Sequence, residues 1–156
     1  MLVALLAVAL TLGTPAMSGV NHGSGSVTAG ALIAITVKGR DVAGDARGTF
    51  ALIGAASDAG TSYVVGNTTS AQRVLGQRLY KGTSRGFGEL DGKKGDLSFS
   101  WSGSHVPVNA STSVTTGTWR ITGSSGRYKA WKGDGTFVWV GGIGTHEARF
   151  EGLVTR

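Results

Sequence analysis

The sequence predicts an all-β fold: an antiparallel, closed β-barrel of about eight strands, preceded by a signal peptide. Three observations carry this. Short runs alternate large apolar with polar residues, the period-two pattern of strands that have one wet face. Glycine is abundant, 27 residues against 2 prolines, and without a collagen period or a Pro-rich linker the glycines read as turns, bulges and strand bends. Turn signals separate the runs at the spacing of sandwiches and small barrels, with no strong helical period between them. A barrel is preferred to a two-sheet sandwich because closure removes exposed edges, and inward side chains can fill a barrel of that strand number.

Taken in order, Leu2 to Leu12 is an uncharged apolar run of the length of a signal-peptide core and too short to span a bilayer. Thr14-Pro15-Ala16 supplies a small-x-small cleavage signal, although the usual basic region before the run is missing; a buried N-terminal strand or helix is the alternative. The expected organisation is a signal peptide over 1–16, a flexible Gly/Ser leader over 17–30 containing His22, and one barrel domain over 31–156. No other stretch is apolar and long enough to cross a membrane, so the mature chain is expected to be secreted or periplasmic with no transmembrane segment.

Leu32 to Val37 reads as a β-branched strand ended by Gly39-Arg40-Asp41, apolar on both faces and hence expected to be covered on both. Arg47–Ile53 and Thr61–Val65 flank the turn-rich Ser57-Asp58-Ala59-Gly60 and read as a hairpin. Gln72 to Tyr80 has a competing helical period that Gly76 weakens, and is assigned to strand. Ser84–Leu90 and Asp96–Trp101 flank Asp91-Gly92-Lys93-Lys94-Gly95, a second hairpin; Leu97, Phe99 and Trp101 alternate with serines, the clearest period-two signal in the chain. Ser104 to Thr116 is polar, contains Pro107, and is expected to be a long loop over one end of the sheet. Thr118–Thr122 is a strand broken by Gly123-Ser124-Ser125-Gly126. An aromatic-basic connection with Tyr128 and Trp131 follows, then a turn at Gly133-Asp134-Gly135. Thr136–Val140 is apolar on both faces, Gly141–Gly144 is a turn, and Glu147–Val154 is the last strand.

The run Thr118-Trp119-Arg120-Ile121-Thr122-Gly123-Ser124-Ser125-Gly126-Arg127-Tyr128, continuing to Lys132-Gly133, resembles the glycine turn shared by allene oxide cyclases and plant dirigent proteins. There an apolar strand enters a Gly-Gly-(Ser/Thr)-Gly-x-(Phe/Tyr) turn; Ser124 stands here in place of the second glycine. The chain also resembles small, uncharacterised exported bacterial proteins of that superfamily. The match covers about a seventh of the chain, and Gly-rich hairpins arise in many β proteins. The resemblance implies an eight-stranded barrel with an interior cavity. Cyclases of the superfamily act on an oxylipin epoxide and dirigents steer phenoxy-radical or quinone-methide coupling, but neither family's pocket residues match here and no catalytic residue is carried over. Gly117-Thr118-Trp119 resembles the lipocalin and avidin Gly-x-Trp, which in those families lies on the first strand, whereas here it is near the C-terminal end.

Function classes narrow by exclusion. Cysteine is absent, which removes disulfides, thiolate nucleophiles and Cys-ligated zinc. Nucleophile elbows, P-loops and zincin motifs are missing, and Gly142-Ile143-Gly144 lacks the third glycine of a dinucleotide site, so no cofactor or metal is expected. His22, His105 and His146 show no ligand spacing and read as surface or turn residues; His146 beside Glu147 becomes an acid-base pair only if the fold supplies a partner. Trp101, Trp119, Tyr128, Trp131 and Trp139 are the candidates to line an apolar ligand cavity, against the plainer reading that they pack the core. The net charge is +6, and Arg127, Lys129 and Lys132 are candidates for an anionic surface or polymer, without specific nucleic-acid recognition. The expected role is binding a small hydrophobic or aromatic ligand in the barrel. The alternatives are a cofactor-independent cyclase or isomerase, with groups such as His105, Glu89, Asp134 or Glu147 in the lumen, and a basic surface-binding protein.

Overall fold

The computed structural model describes residues 30–42, 45–74 and 79–156. The signal peptide expected over 1–16, nearly all of the leader and His22 lie outside the described residues. Eight strands follow in chain order: β1 (Ala31–Val42), β2 (Asp45–Gly54), β3 (Asp58–Val74), β4 (Leu79–Gly92), β5 (Gly95–Asn109), β6 (Thr112–Ser124), β7 (Lys132–Gly141) and β8 (His146–Thr155). Each pairs antiparallel with the next, and β8 pairs back onto β1 to close the barrel. The hairpins β1–β2, β3–β4, β5–β6 and β7–β8 gather at one end, the mouth. The β2–β3, β4–β5 and β6–β7 connections form the other.

On β5 the inward face is where the period-two text puts it; on β1, apolar on both faces, pairing into the barrel selects it. Ile33, Ile35 and Val37 of β1, Phe50 and Leu52 of β2, Leu97 and Phe99 of β5, and Ala148, Phe150 and Val154 of β8 are all buried. Phe150 is the hub: its ring meets Phe99 at 5.0 Å edge-on and Phe137 at 5.3 Å stacked. Burying a side chain of this size contributes roughly 1.5–3 kcal/mol.

Rings this large fit inside eight strands because glycines face them. Gly88 opposes Phe99, and Gly66 and Gly86 pair across β3 and β4 beneath Trp101; a Cβ at Gly88 or Gly66 would overlap the ring it faces. The inward glycines are thus the complement of the inward aromatics.

Four expectations are corrected. Strands β1 and β7 are not covered on both faces: Leu32 is 71% exposed and Val138 47%, because a barrel wall is one layer thick with nothing packed outside it. Ser104 to Thr116 is not a loop but the β5–β6 hairpin, paired from His105↔Thr115 to Asn109↔Thr112. The segment is polar because its inward residues face the open mouth and not the core. Gly133-Asp134-Gly135 lies inside β7, paired with Gly152 to Val154 of β8, and is not a turn. β1 likewise continues through Gly39-Arg40-Asp41 to Val42. Gln72 to Tyr80 falls on β3 and β4 as far as it is described.

The end opposite the mouth is stoppered by the aromatic-basic connection. Gly126, at φ 55, opens a single 3-10 turn over Gly126–Tyr128, and Ala130 at φ 69 turns the chain back. Backbone bonds from Tyr128 N–H to the Ser125 carbonyl (3.0 Å) and from Trp131 N–H to the Tyr128 carbonyl (2.8 Å) hold it folded, and Arg127 N–H donates to the Lys94 carbonyl at 2.8 Å. Tyr128 is thereby buried, its ring 4.9 Å from that of Trp131. Its hydroxyl donates to Asp58 Oδ2 at 2.7 Å.

Candidate functional site

Between the hub at Phe150 and the mouth the core stops short, and a cavity of about 260 Å³ remains. Its wall and floor are Ala46, Val64, Trp101, Phe137, Trp139 and Phe150; Asp41, Asn67, Ser84, His105 and Thr115 bring polar groups to it. The alternation explains the change. Moving toward the mouth, inward positions pass from Val37 to Asp41 on β1, from Trp101 to His105 on β5 and from Trp119 to Thr115 on β6, so polar residues replace apolar ones where water has access.

Two imidazoles belong to this end. His105 Nδ1 and Thr115 Oγ1 share a hydrogen bond of 3.0 Å across the β5–β6 pair, with the imidazole tautomer deciding which one donates. His146 has no side-chain exposure, and its Nδ1 donates to Asp41 Oδ1 at 2.8 Å. Its ring stacks on Trp139 at 4.6 Å and 20°, and its Nε2 has no hydrogen-bond partner among the described residues. The expectation that these two histidines are ordinary surface or turn residues is corrected. β8 closes on β1 with Gly39 opposite His146, which delivers Asp41 to an imidazole 105 positions away. Trp101 Nε1 is likewise buried without a partner among the described residues. A buried donor or acceptor left without a partner costs about 1–3 kcal/mol.

The other candidates divide by position. Trp101 and Trp139 line the cavity. Trp119 lies deeper, buried in the core with its Nε1 donating to the Glu151 carbonyl at 3.1 Å. Tyr128 and Trp131 form the stopper at the opposite end. Arg127, Lys129 and Lys132 are exposed near that stopper, away from the mouth. Of the ionisable groups proposed for the lumen, only His105 reaches the cavity; Glu89, Asp134 and Glu147 are exposed on the outer wall. Asp41 and Thr115 were missed. Their only signal was a polar residue at an inward period-two position, which reads as a strand end when the register is unknown.

Two perturbed protonation equilibria lie at the stopper. Burial and the bond to the Asp58 carboxylate push the Tyr128 hydroxyl well above its ordinary range. Burial alone would raise Asp58. The donors Tyr128 O–H, Ala59 N–H (2.9 Å) and Lys94 N–H (3.0 Å), with the Lys94 charge, outweigh it and hold the carboxyl below its ordinary value. This is a structural lock, remote from the cavity.

Among the described residues no group of three or more His, Asp or Glu side chains is placed to hold a metal ion, and no helix is long and apolar enough to cross a membrane. No family model matches the chain, and neither a curated protein nor a solved structure matches it.

Proposed function

We propose that this chain is an exported β-barrel protein that binds a small hydrophobic or aromatic molecule in the mouth of its barrel. The observation that carries the reading is the cavity of about 260 Å³, bounded by four aromatic rings with a few polar groups converging on it. Aromatic walls with polar groups converging on them are the usual character of a small-molecule site, and here polar and apolar surface are nearly balanced. The export part rests on the apolar run and small-x-small signal before the barrel. Membership of the allene oxide cyclase and dirigent superfamily rests on the glycine turn at Gly123–Gly126, and agrees with the eight-stranded closure. Titration with 2-methylnaphthalene, followed by tryptophan fluorescence, tests the binding. Saturable quenching is expected, abolished in Ala46→Phe, which fills the cavity, and weakened about tenfold in Trp139→Ala. Absence of saturation, or unchanged binding in both variants, would refute it.

A second reading, a cofactor-independent isomerase, is favoured by the Asp41–His146 bond at the cavity wall. β1 and β5 lie four strands apart in a ring of eight, so Asp41 and His105 occupy opposite walls. In such a site the Asp41 carboxylate takes a proton from carbon beside a carbonyl and the electron pair moves onto the carbonyl oxygen, where a His105 N–H donates. The proton then returns at another carbon. Exchange of the α-protons of 2-indanone in deuterated water, measured by NMR, is expected to accelerate with this protein and to fall to the buffer rate in Asp41→Asn. Equal rates for the two proteins would exclude it.

A further inference from the structure

The outer wall carries a feature unrelated to the cavity. On β5 the residues alternating with Leu97, Phe99 and Trp101 are serines, and on β6 the outward positions are Thr116, Thr118, Arg120 and Thr122. Cross-strand pairing sets Arg85 opposite Ser102, Ser102 opposite Thr118, Ser100 opposite Arg120, and Arg120 opposite Asp134. Short hydroxyl side chains between longer flanking ones leave a depression of about 790 Å³, whose lining includes Arg85, Ser100, Ser102, Thr118, Arg120 and Asp134. A second depression of about 490 Å³ shares Arg120 and Asp134 and runs on past Thr122 and Ser124 to Lys132. The two form one trough along the β4–β7 wall.

Three cations lie along it, and among the described residues Arg85, Arg120 and Lys132 enter no ion pair. Lys38 is paired with Glu147 at 2.9 Å and Arg149 with Glu151 at 2.6 Å, whereas Arg40, Arg127 and Lys129, like the trough's three, enter no ion pair among the described residues. Arg85 on β4 and Arg120 on β6 are two strands apart and two residues out of register, roughly 12 Å across the sheet. Their forks suit carboxylate or sulfate groups bidentately. The floor between them offers hydroxyls that both donate and accept, matching the hydroxyls of a sugar. Stacked bases would need exposed rings. The two tryptophans beneath the trough, Trp101 and Trp119, point into the barrel, and Trp119 is 2% exposed.

We propose that this trough binds a linear acidic polysaccharide, with Arg85, Arg120 and Lys132 meeting its acid groups and the serine-threonine floor its hydroxyls. This moves the anion-binding surface from the Arg127–Lys129 stopper to the wall; Lys132 alone is common to both. The site does not depend on the cavity being a ligand pocket.

The test is fluorescence anisotropy with a labelled heparin octasaccharide, using the intact chain and two double variants of equal charge loss, Arg85→Ser/Arg120→Ser and Arg127→Ser/Lys129→Ser. The first is expected to weaken binding at least about tenfold and the second less than about twofold. Affinity of the unaltered chain is expected to fall steeply as salt rises from about 0.05 to about 0.5 M. All four residues are exposed, and matched melting temperatures confirm that the variants fold. Equal losses in the two variants would mean net charge alone, and would overturn the proposal. So would absence of binding at low salt, or a labelled deoxythymidine decamer binding as tightly as the octasaccharide.

Discussion

Tyr128→Phe isolates one atom of the stopper. The ring and its packing against Trp131 remain, so no cavity opens; what goes is the hydroxyl that donates to Asp58 at 2.7 Å. A hydrogen bond to a charged group contributes about 1.5–3 kcal/mol. Because Asp58 keeps the Ala59 and Lys94 N–H donors, a loss of about 2 kcal/mol is expected at neutral pH, with a fall in Tm of about 8 °C for a domain of roughly 125 residues. The pH dependence gives the signature. Tyr128 is raised above its ordinary 10.0, so its contribution is complete below pH 10 and is lost as the pH climbs beyond that value, where the unfolded phenol ionises. Asp58 is depressed below 3.8, so its contribution is present above that value and is lost as the pH falls through the folded-state value. The stability difference between the two proteins is therefore flat from about pH 5 to about pH 9 and narrows on both sides. Urea unfolding followed by circular dichroism across this range measures it. A difference below about 0.5 kcal/mol at pH 7, or one that widens above pH 10, would refute the assignment of the bond as the lock on that end.

Other perturbations separate the roles of the interior residues. Gly66→Ala puts a methyl into the benzo edge of Trp101 and should destabilise the barrel by about 1–3 kcal/mol while changing the near-ultraviolet dichroism; an unchanged tryptophan signal would show that the ring does not rest there. Phe150→Ala removes the hub of the aromatic cluster and should cost about 3–5 kcal/mol in denaturant unfolding, with a smaller loss indicating that Phe99 and Phe137 collapse into the space. Asp58→Asn should cost stability at pH 7 and flatten the acid limb of the stability curve, since no carboxyl remains there to be protonated; an acid limb identical to that of the unaltered chain would place the titration elsewhere.

Leu97, Phe99 and Trp101 alternating with serines, with the wealth of glycine, were enough to determine an antiparallel all-β fold and to make a barrel preferable to a sandwich, because side-chain direction in a strand depends only on parity; closure itself came from the pairing of β8 with β1. Parity fails where both faces share a character. Val138 and Val140 read as doubly buried although they face solvent, and Ser104 to Thr116 read as a loop although it is paired, since near the mouth inward residues are polar as well. The cavity and the trough needed the tertiary structure. Asp41 meets His146, and Tyr128 meets Asp58, only through strand register and ring closure. Arg85 reaches the same trough as Arg120 because β4 and β6 flank β5. Local periodicity determined what each strand presents to its two sides; long-range pairing decided which residues stand beside one another, because register is set by the summed fit of the whole sheet and by no single stretch of it.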